Sequence, residues 1–309
     1  MSQFRIIVVG LGTQGMKRRR VAKDDFVASV DPIHQEADYD NIEEIPLDSY
    51  DAALLCVPDK PKIGLLTYLL KNKKHALVEK PLWSENSEEL ESLQRLANDN
   101  ATICYTAYNH RFEPHFINMK KLIESGDLGR IYSCRMFYGN GTASLVKASQ
   151  WRDQGAGVLP DLGSHLLDIA RFWFGNLTSQ FDLVSSNNFE NLAPDHVVLL
   201  SQSERFRLEL EMTLLMWRNH FTCDILAEEG SAHIESLCKW GPSKFTKRMR
   251  IKPSGRPTEE VLTLVQEDPT WEAEYVFFKN LCRSSAGSSF DNDIWLNSTI
   301  VKLSNQACI

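Results

Sequence analysis

The chain has 309 residues, 43% hydrophobic and 24% charged, long enough for two domains with separate cores and unlike a disordered or fibrous polypeptide. Lys plus Arg number 34 and Asp plus Glu 41, a net charge of −7 that argues against a nucleic-acid partner. No stretch reaches the roughly 18 apolar residues of a membrane span, and the opening MSQFRIIVVGLG lacks the form of a signal peptide, so no membrane association and a cytoplasmic location are expected.

In chain order, the apolar runs FRIIVV, FVASV and AALLCV lead to Gly10, Asp31 and Pro58. HALVE and TICYTAY follow helical stretches at 61–72 and 87–99. Runs apolar on both faces with helices between them predict parallel strands covered on both sides, hence an α/β, doubly wound sheet. After the first run, VVGLGTQG places Gly10, Gly12 and Gly15 in a G-x-G-x-x-G spacing that opens a helix, the context in which backbone N–H groups cradle a pyrophosphate. Asp31 ends the second run, where a carboxylate accepts from ribose hydroxyls and repels a 2′-phosphate, which favours NAD over NADP. The run Lys17-Arg18-Arg19-Arg20 reads as a solvated helix face, with one arginine reaching a phosphate as the alternative.

From about residue 113 the pattern changes. RIYSCRMFYG, HVVLLS and the alternating RFRLELEMTLL read as strands, and FTCDILAEEGSAHIES as two strands joined by a turn. Helices are expected at 115–125, 163–174, 270–283 and 294–307. The expected division is a dinucleotide-binding domain over 1–112 and an α+β domain with an open, mostly antiparallel sheet over 113–309. The seven cysteines are scattered, odd in number and without a C-x-x-C pair, so they read as reduced small hydrophobes.

The segment LPDLGSHLLDIARFWFG places Asp161, His165 and Asp168 at intervals of four and three, one face of a helix. A zinc or iron site, a proton relay and an ordinary wet helix face are all open on these residues alone.

VVGLGTQG, HALVEKPLW, YNHRFEPHF, GDLGRIYS and GAGVLPDLGSHLLDIARFWFG, in that order over residues 4 to about 175, resemble the glucose-fructose oxidoreductase, inositol dehydrogenase and rhizopine-catabolism (Gfo/Idh/MocA) family of NAD(P)-dependent oxidoreductases. The resemblance implies a Rossmann domain followed by an α+β domain, and Lys80, Asp161 and His165 as the catalytic group. It resolves the helix stripe as a proton relay with no metal: His165 as base, Asp161 supporting the imidazolium, and Lys80 donating to the substrate oxygen. Asp168 then reads as structural, satisfied by the backbone or by an arginine such as Arg171. Gly10, Gly12, Thr13, Gln14, Gly15, Asp31, Pro58, Glu79 and Lys80 are expected to line the cofactor. Tyr108, Asn109, Arg111, Trp151, Arg152 and His165 are expected at the substrate.

Against that resemblance, the stretches from Gly15 to Asp31 and from Asp31 to AALLCV are shorter than is usual and the second leaves little room for a full crossover helix, an abbreviation on the adenosine side that leaves NADP as an alternative cofactor. The expected activity is hydride transfer between NAD and a hydroxyl carbon of a sugar, cyclitol or sugar nucleotide, in a homodimer or homotetramer. A lyase or glycosidase that oxidises its substrate transiently, and a non-catalytic dinucleotide sensor, are the rival readings.

Overall fold

The computed structural model describes residues 4–84, 86–149, 152–177, 180–202, 206–284 and 287–307. The chain begins with β1 (Ile6–Val9), α1 (Thr13–Ala22), β2 (Phe26–Val30), β3 (Ala52–Leu55), α2 (Asp59–Lys71), β4 (His75–Glu79), α3 (Ser87–Asp99) and β5 (Cys104–Ala107). Next come α4 (Pro114–Ser125), β6 (Ile131–Gly139), α5 (Ala143–Lys147) and α6 (Ser164–Phe174). The strands β7 (Asp182–Asn187), β8 (His196–Gln202), β9 (Arg207–Thr213), β10 (His220–Ala227), β11 (Gly230–Glu235), β12 (Ser243–Met249) and β13 (Thr258–Leu264) precede α7 (Thr270–Arg283) and α8 (Asp291–Ala307). Two compact units result: Met1–Asn109 with Thr270–Asn297, and His110–Pro269 with Ser298–Ile309. Helix α7, assigned from sequence to the second domain, therefore belongs to the packing of the first.

The first unit is a parallel sheet in the order β2-β1-β3-β4-β5. Alternation along β1 explains its unbroken apolar run. Ile7 and Val9 enter the core with Leu66, Leu69, Leu70, Leu90 and Leu93 of α2 and α3. Ile6 and Val8 enter the opposite core with Ala22 of α1 and Tyr275 and Phe278 of α7. Both faces are buried, as a parallel sheet requires. The link from β2 to β3 holds only two short 3₁₀ turns, Ile42–Glu44 and Leu47–Ser49, in place of a crossover helix.

The basic run after the glycine turn departs from the expected solvated face. Arg18 is 1% exposed. Its Nη2 lies 2.7 Å from both Glu79 Oε1 and Glu274 Oε2, and its guanidinium stacks over Trp271 at 4.3 Å. Burial disfavours the charge, but Glu274 and Glu79 more than offset it and hold the guanidinium ionised.

The second unit is a sheet in the order β13-β12-β11-β10-β6-β9-β8-β7, antiparallel except where β6 meets β9. Cys134, Met136 and Tyr138 of β6 point to the buried face, with Phe221, Cys223 and Ile225 of β10 beside them. Helices α4 and α6 join through Trp173, whose Nε1 donates to the Phe116 carbonyl at 2.9 Å, and the Phe116 ring lies 4.9 Å from Phe221. Strands β7, β12 and β13 were not expected: they sit at the two ends of the sheet, and β13 is exposed along almost its whole length.

Replacing Arg18 with Met leaves two buried carboxylates without their cation. Urea unfolding should show a loss of about 3–5 kcal/mol, whereas a loss below about 1 kcal/mol would mean that the ion trio contributes little.

Candidate active site

In the first unit the glycine turn is built by close approach. Gly10 has φ +90°, and a Cβ on Gly15 would stand 1.8 Å from the Gly10 carbonyl oxygen. A Cβ on Gly12 would meet nothing within 4 Å, so the space over the start of α1 is open. Gly12 caps α1 without a side-chain bond, and the helix begins with Thr13 and Gln14. An anion suits that position, since the first backbone N–H groups of a helix point outward.

Asp31 borders the same turn. One of its oxygens accepts from Leu11 N at 2.7 Å, the other from Ile33 N at 2.9 Å and His34 N at 3.1 Å. Burial pushes this carboxyl up, yet the three backbone bonds outweigh burial and hold it below the ordinary carboxylate range. The residues therefore fit a dinucleotide: an open helix start for the pyrophosphate and a fixed anion for the ribose.

Pro58 caps α2 directly after β3. Glu79, expected at the cofactor, has its carboxylate bound to Arg18. Lys80 follows β4, and the backbone on both sides of it is held by a residue that sequence reasoning missed. Lys62 is 2% exposed, and its ammonium donates to Asp59 Oδ1 and to the carbonyls of Glu79 and Pro81, each at 2.7 Å. Its position was detectable, because Lys62, Leu66, Leu69 and Leu70 share the buried face of α2. Tyr108 and Asn109 are buried, and Asn109 Nδ2 donates to Thr270 Oγ1 at 2.8 Å.

In the second unit, Leu159–Gly163 forms a π-helical turn that runs straight into α6. The wider turn re-aims the segment before the helix, a feature frequent at functional sites. Asp161 lies on it and pairs with Arg152 Nη2 at 3.3 Å. His165, in the first turn of α6, is 8% exposed, and its ring stacks on His110 with centroids 4.0 Å apart. Asp168 is buried and accepts from Arg111 Nε at 2.9 Å and from Arg111 Nη2 at 2.5 Å. The suggested partner Arg171 bonds Asn176 instead. Both oxygens of Asp168 thus accept from Arg111, and among the described residues no three His, Cys, Asp or Glu side chains are grouped as metal ligands would be. Arg111, expected at the substrate, has its guanidinium bound to Asp168. Trp151 lies outside the described residues.

The imidazole pair has neighbours that no sequence motif announced. Lys239 Nζ is 3.0 Å from His110 Nε2. The buried Glu113 accepts from Cys238 N at 3.0 Å and from its thiol at 2.9 Å, although burial pushes the Glu113 carboxyl up. The Tyr138 ring lies 6.1 Å from His165 and 5.7 Å from Trp240. Trp240 borders an open cavity of about 400 Å³ whose lining includes Arg218, Asn219, His220 and Ser236.

Residues 5–108 match the profile described as an oxidoreductase family with an NAD-binding Rossmann fold, and residues 116–233 match the GFO/IDH/MocA C-terminal domain. The chain belongs to the GFO/IDH/MocA oxidoreductase family. Its first unit is the family's NAD-binding Rossmann domain.

Among relatives, the chain is 35% identical over 105 residues to a scyllo-inositol 2-dehydrogenase (NADP(+)) of Bacillus subtilis, covering 33% of this chain and 28% of that one. It is 33% identical over 111 residues to a levoglucosan dehydrogenase of Pseudarthrobacter phenanthrenivorans, covering 34% and 28%. The chain thus spans little more than a quarter of the length of these curated relatives. The solved structure of a levoglucosan dehydrogenase in complex with NADH has the same fold, with a TM-score of 0.83 at 18% identity over 99% of this chain and 98% of that one.

The bonds to Asp31 carry a pH signature. A carboxyl held below its unfolded value of about 4 stabilises the fold above that value, and the gain is lost as pH falls through the folded value. Asp31→Asn should therefore unfold at lower urea than the parent at pH 7, with the gap narrowing below about pH 4. A gap that is the same at both pH values would show that the charge of Asp31 is not what the turn uses.

Proposed function

We propose that the protein is a dehydrogenase that oxidises a hydroxyl carbon of a sugar, cyclitol or sugar nucleotide, with NAD preferred and Lys80, Asp161 and His165 managing the proton. The observation that carries this reading is His165: a nearly buried imidazole one turn after a carboxylate, in a chain whose other unit is an NAD-binding Rossmann domain with Lys80 just past its fourth strand. When bound, the dinucleotide supplies the hydride acceptor.

The chain's own residues have separate tasks. His165 removes the hydroxyl proton, since an imidazole changes charge near neutral pH. Asp161, steadied by Arg152, stabilises the imidazolium that results. Lys80 donates to the substrate oxygen and favours the alkoxide; Lys62 fixes the backbone around it. Asp31, kept ionised by backbone N–H groups, repels a 2′-phosphate and so favours NAD. The names of the relatives, scyllo-inositol 2-dehydrogenase and levoglucosan dehydrogenase, support a polyhydroxylated substrate.

The test is a screen of sugars, cyclitols and sugar nucleotides with NAD and NADP, read as absorbance of the reduced cofactor. Net reduction should appear with a polyol and be faster with NAD. His165→Ala should then lower turnover by roughly 10²–10⁴-fold with cofactor affinity retained. Lys80→Ala should cost a similar factor, and the double variant less than the product of the two. Full activity in His165→Ala would overturn the relay, and product formed without net cofactor reduction would favour the lyase reading.

We also propose that the protein assembles as a dimer or tetramer through the outer face of the second unit's sheet. That face carries exposed Leu226 and partly exposed Phe137 among the pairs Arg135–Glu209 and Arg135–Glu211, and such mixed patches suit a partner surface. Light scattering at micromolar concentration should give a multiple of 35.2 kDa; a monomer would contradict it.

A further inference from the structure

We infer that Lys239, acting through His110, is a positioning residue that keeps the imidazole of His165 uncharged at neutral pH. The inference rests on the reading of His165 as the base and deepens it, because a base must be unprotonated before it can act.

The argument starts from hydrogen-bond chemistry. An ammonium has three donors and no acceptor. With Lys239 Nζ 3.0 Å from His110 Nε2, that nitrogen is the bare acceptor, so the proton of the His110 ring sits on Nδ1 and the ring is neutral. His110 is 3% exposed and stacks on His165 with centroids 4.0 Å apart and planes 22° from parallel. Protonating either imidazole would add a second positive charge beside Lys239, in a site with little water to screen it. A nearby like charge disfavours the charged form.

The ammonium is itself held in place. It lies over the Trp240 ring at 4.8 Å. The preceding residue, Cys238, is tied to the buried Glu113 by both its backbone N–H and its thiol. Trp240 N donates to the Leu237 carbonyl at 3.0 Å, which closes the turn. Lys239 is therefore a fixed charge and not a mobile surface one.

The other charged and titratable groups around the stack have partners that limit their pull. From α6, Asp168 is matched by Arg111. From the π turn, Asp161 is matched by Arg152, so its attraction for an imidazolium is shared. From the start of α4, Glu113 is bonded to Cys238, with Asp268 acting on the same pair. From β6, Tyr138 packs its ring 5.5 Å from His110, and burial pushes its hydroxyl further from ionisation. Lys239 is bonded directly to His110, one member of the imidazole pair.

The test is an NMR titration of the histidine-labelled full chain, with the His165 signal assigned by its loss in His165→Gln. In Lys239→Met, which keeps the aliphatic stem over Trp240, the His165 midpoint should rise by about one pH unit. Lys239→Arg should keep the parent midpoint, since it restores the charge. Lys239→Gln should rise like Met, which separates charge from hydrogen bonding and provides a second variant should Met disturb the turn. An unchanged His165 midpoint in a folded Lys239→Met or Lys239→Gln would overturn the inference. With a substrate in hand, the acid limb of kcat/KM should move by the same amount. A midpoint that moves while the acid limb stays would uphold the role of Lys239 and remove His165 from the base role.

Discussion

A single buried guanidinium ties together the parts of the first unit on which function depends. Arg18 belongs to the helix that opens at the glycine turn, Glu79 ends the strand that leads to Lys80, and Glu274 comes from α7, far along the chain. Ions so deeply buried are tolerated only when every charge is matched, and the planar fork of arginine can meet two carboxylates at once where lysine offers a point charge. Trp271 covers the face of the fork and excludes water. The start of α1 and the end of β4 are thus held in one register. From the opposite helix layer, Lys62 of α2 fixes the backbone on either side of Lys80. Two buried cations, Arg18 and Lys62, hold a loop that carries a third.

The second unit uses a carboxylate for the same purpose. Glu113 is 1% exposed, and burial works against its charge. Its two bonds to Cys238 set the turn that carries Lys239 and Trp240. The segment from His110 to Glu113 is meanwhile anchored to α6 by Arg111 and Asp168. The stack of His110 on His165 is thus flanked by two braces, Arg111 with Asp168 and Glu113 with Cys238. Removing Arg111 would leave the buried carboxylate of Asp168 without its cation, which is why this contact is specific as well as stabilising.

What could be read from the sequence follows from the range of each signal. The parallel strands were legible because both faces of Ile6–Val9 are buried, and the glycine turn because its spacing is local. The missing crossover helix was not a matter of length, since the link from β3 to β4 is no longer and holds α2. Arg18 was not: its partners lie 61 and 256 positions away, and four consecutive basic residues look like a wet helix face from any short window. The same holds for Glu113 with Cys238, 125 residues apart, and Lys239 with His110, 129 apart. Asp168 pairs with Arg111, 57 positions away, so the suggested neighbour Arg171 was a poor guide to its partner. Edge strands β7 and β13 escaped because they bury little, and burial is what writes period-two alternation into a sequence.

The short link after β2 shows how a carboxylate can replace an element. An open sheet edge exposes unpaired backbone groups and invites aggregation. Here Asp38 accepts from both the backbone N–H and the hydroxyl of Ser29, as a neighbouring strand's carbonyl would, and Tyr39 bridges to β2 through Ser29 and Asp31. Asp31 then folds the next residues around itself through Ile33 and His34, while its second oxygen holds Leu11 of the glycine turn. In a longer connection these tasks would fall to a helix and an added strand. With them gone, Asp31 itself builds the loop beside the glycine turn through its two oxygens. Its charge is therefore set by the fold, and a change that neutralised it would loosen the turn and the loop together.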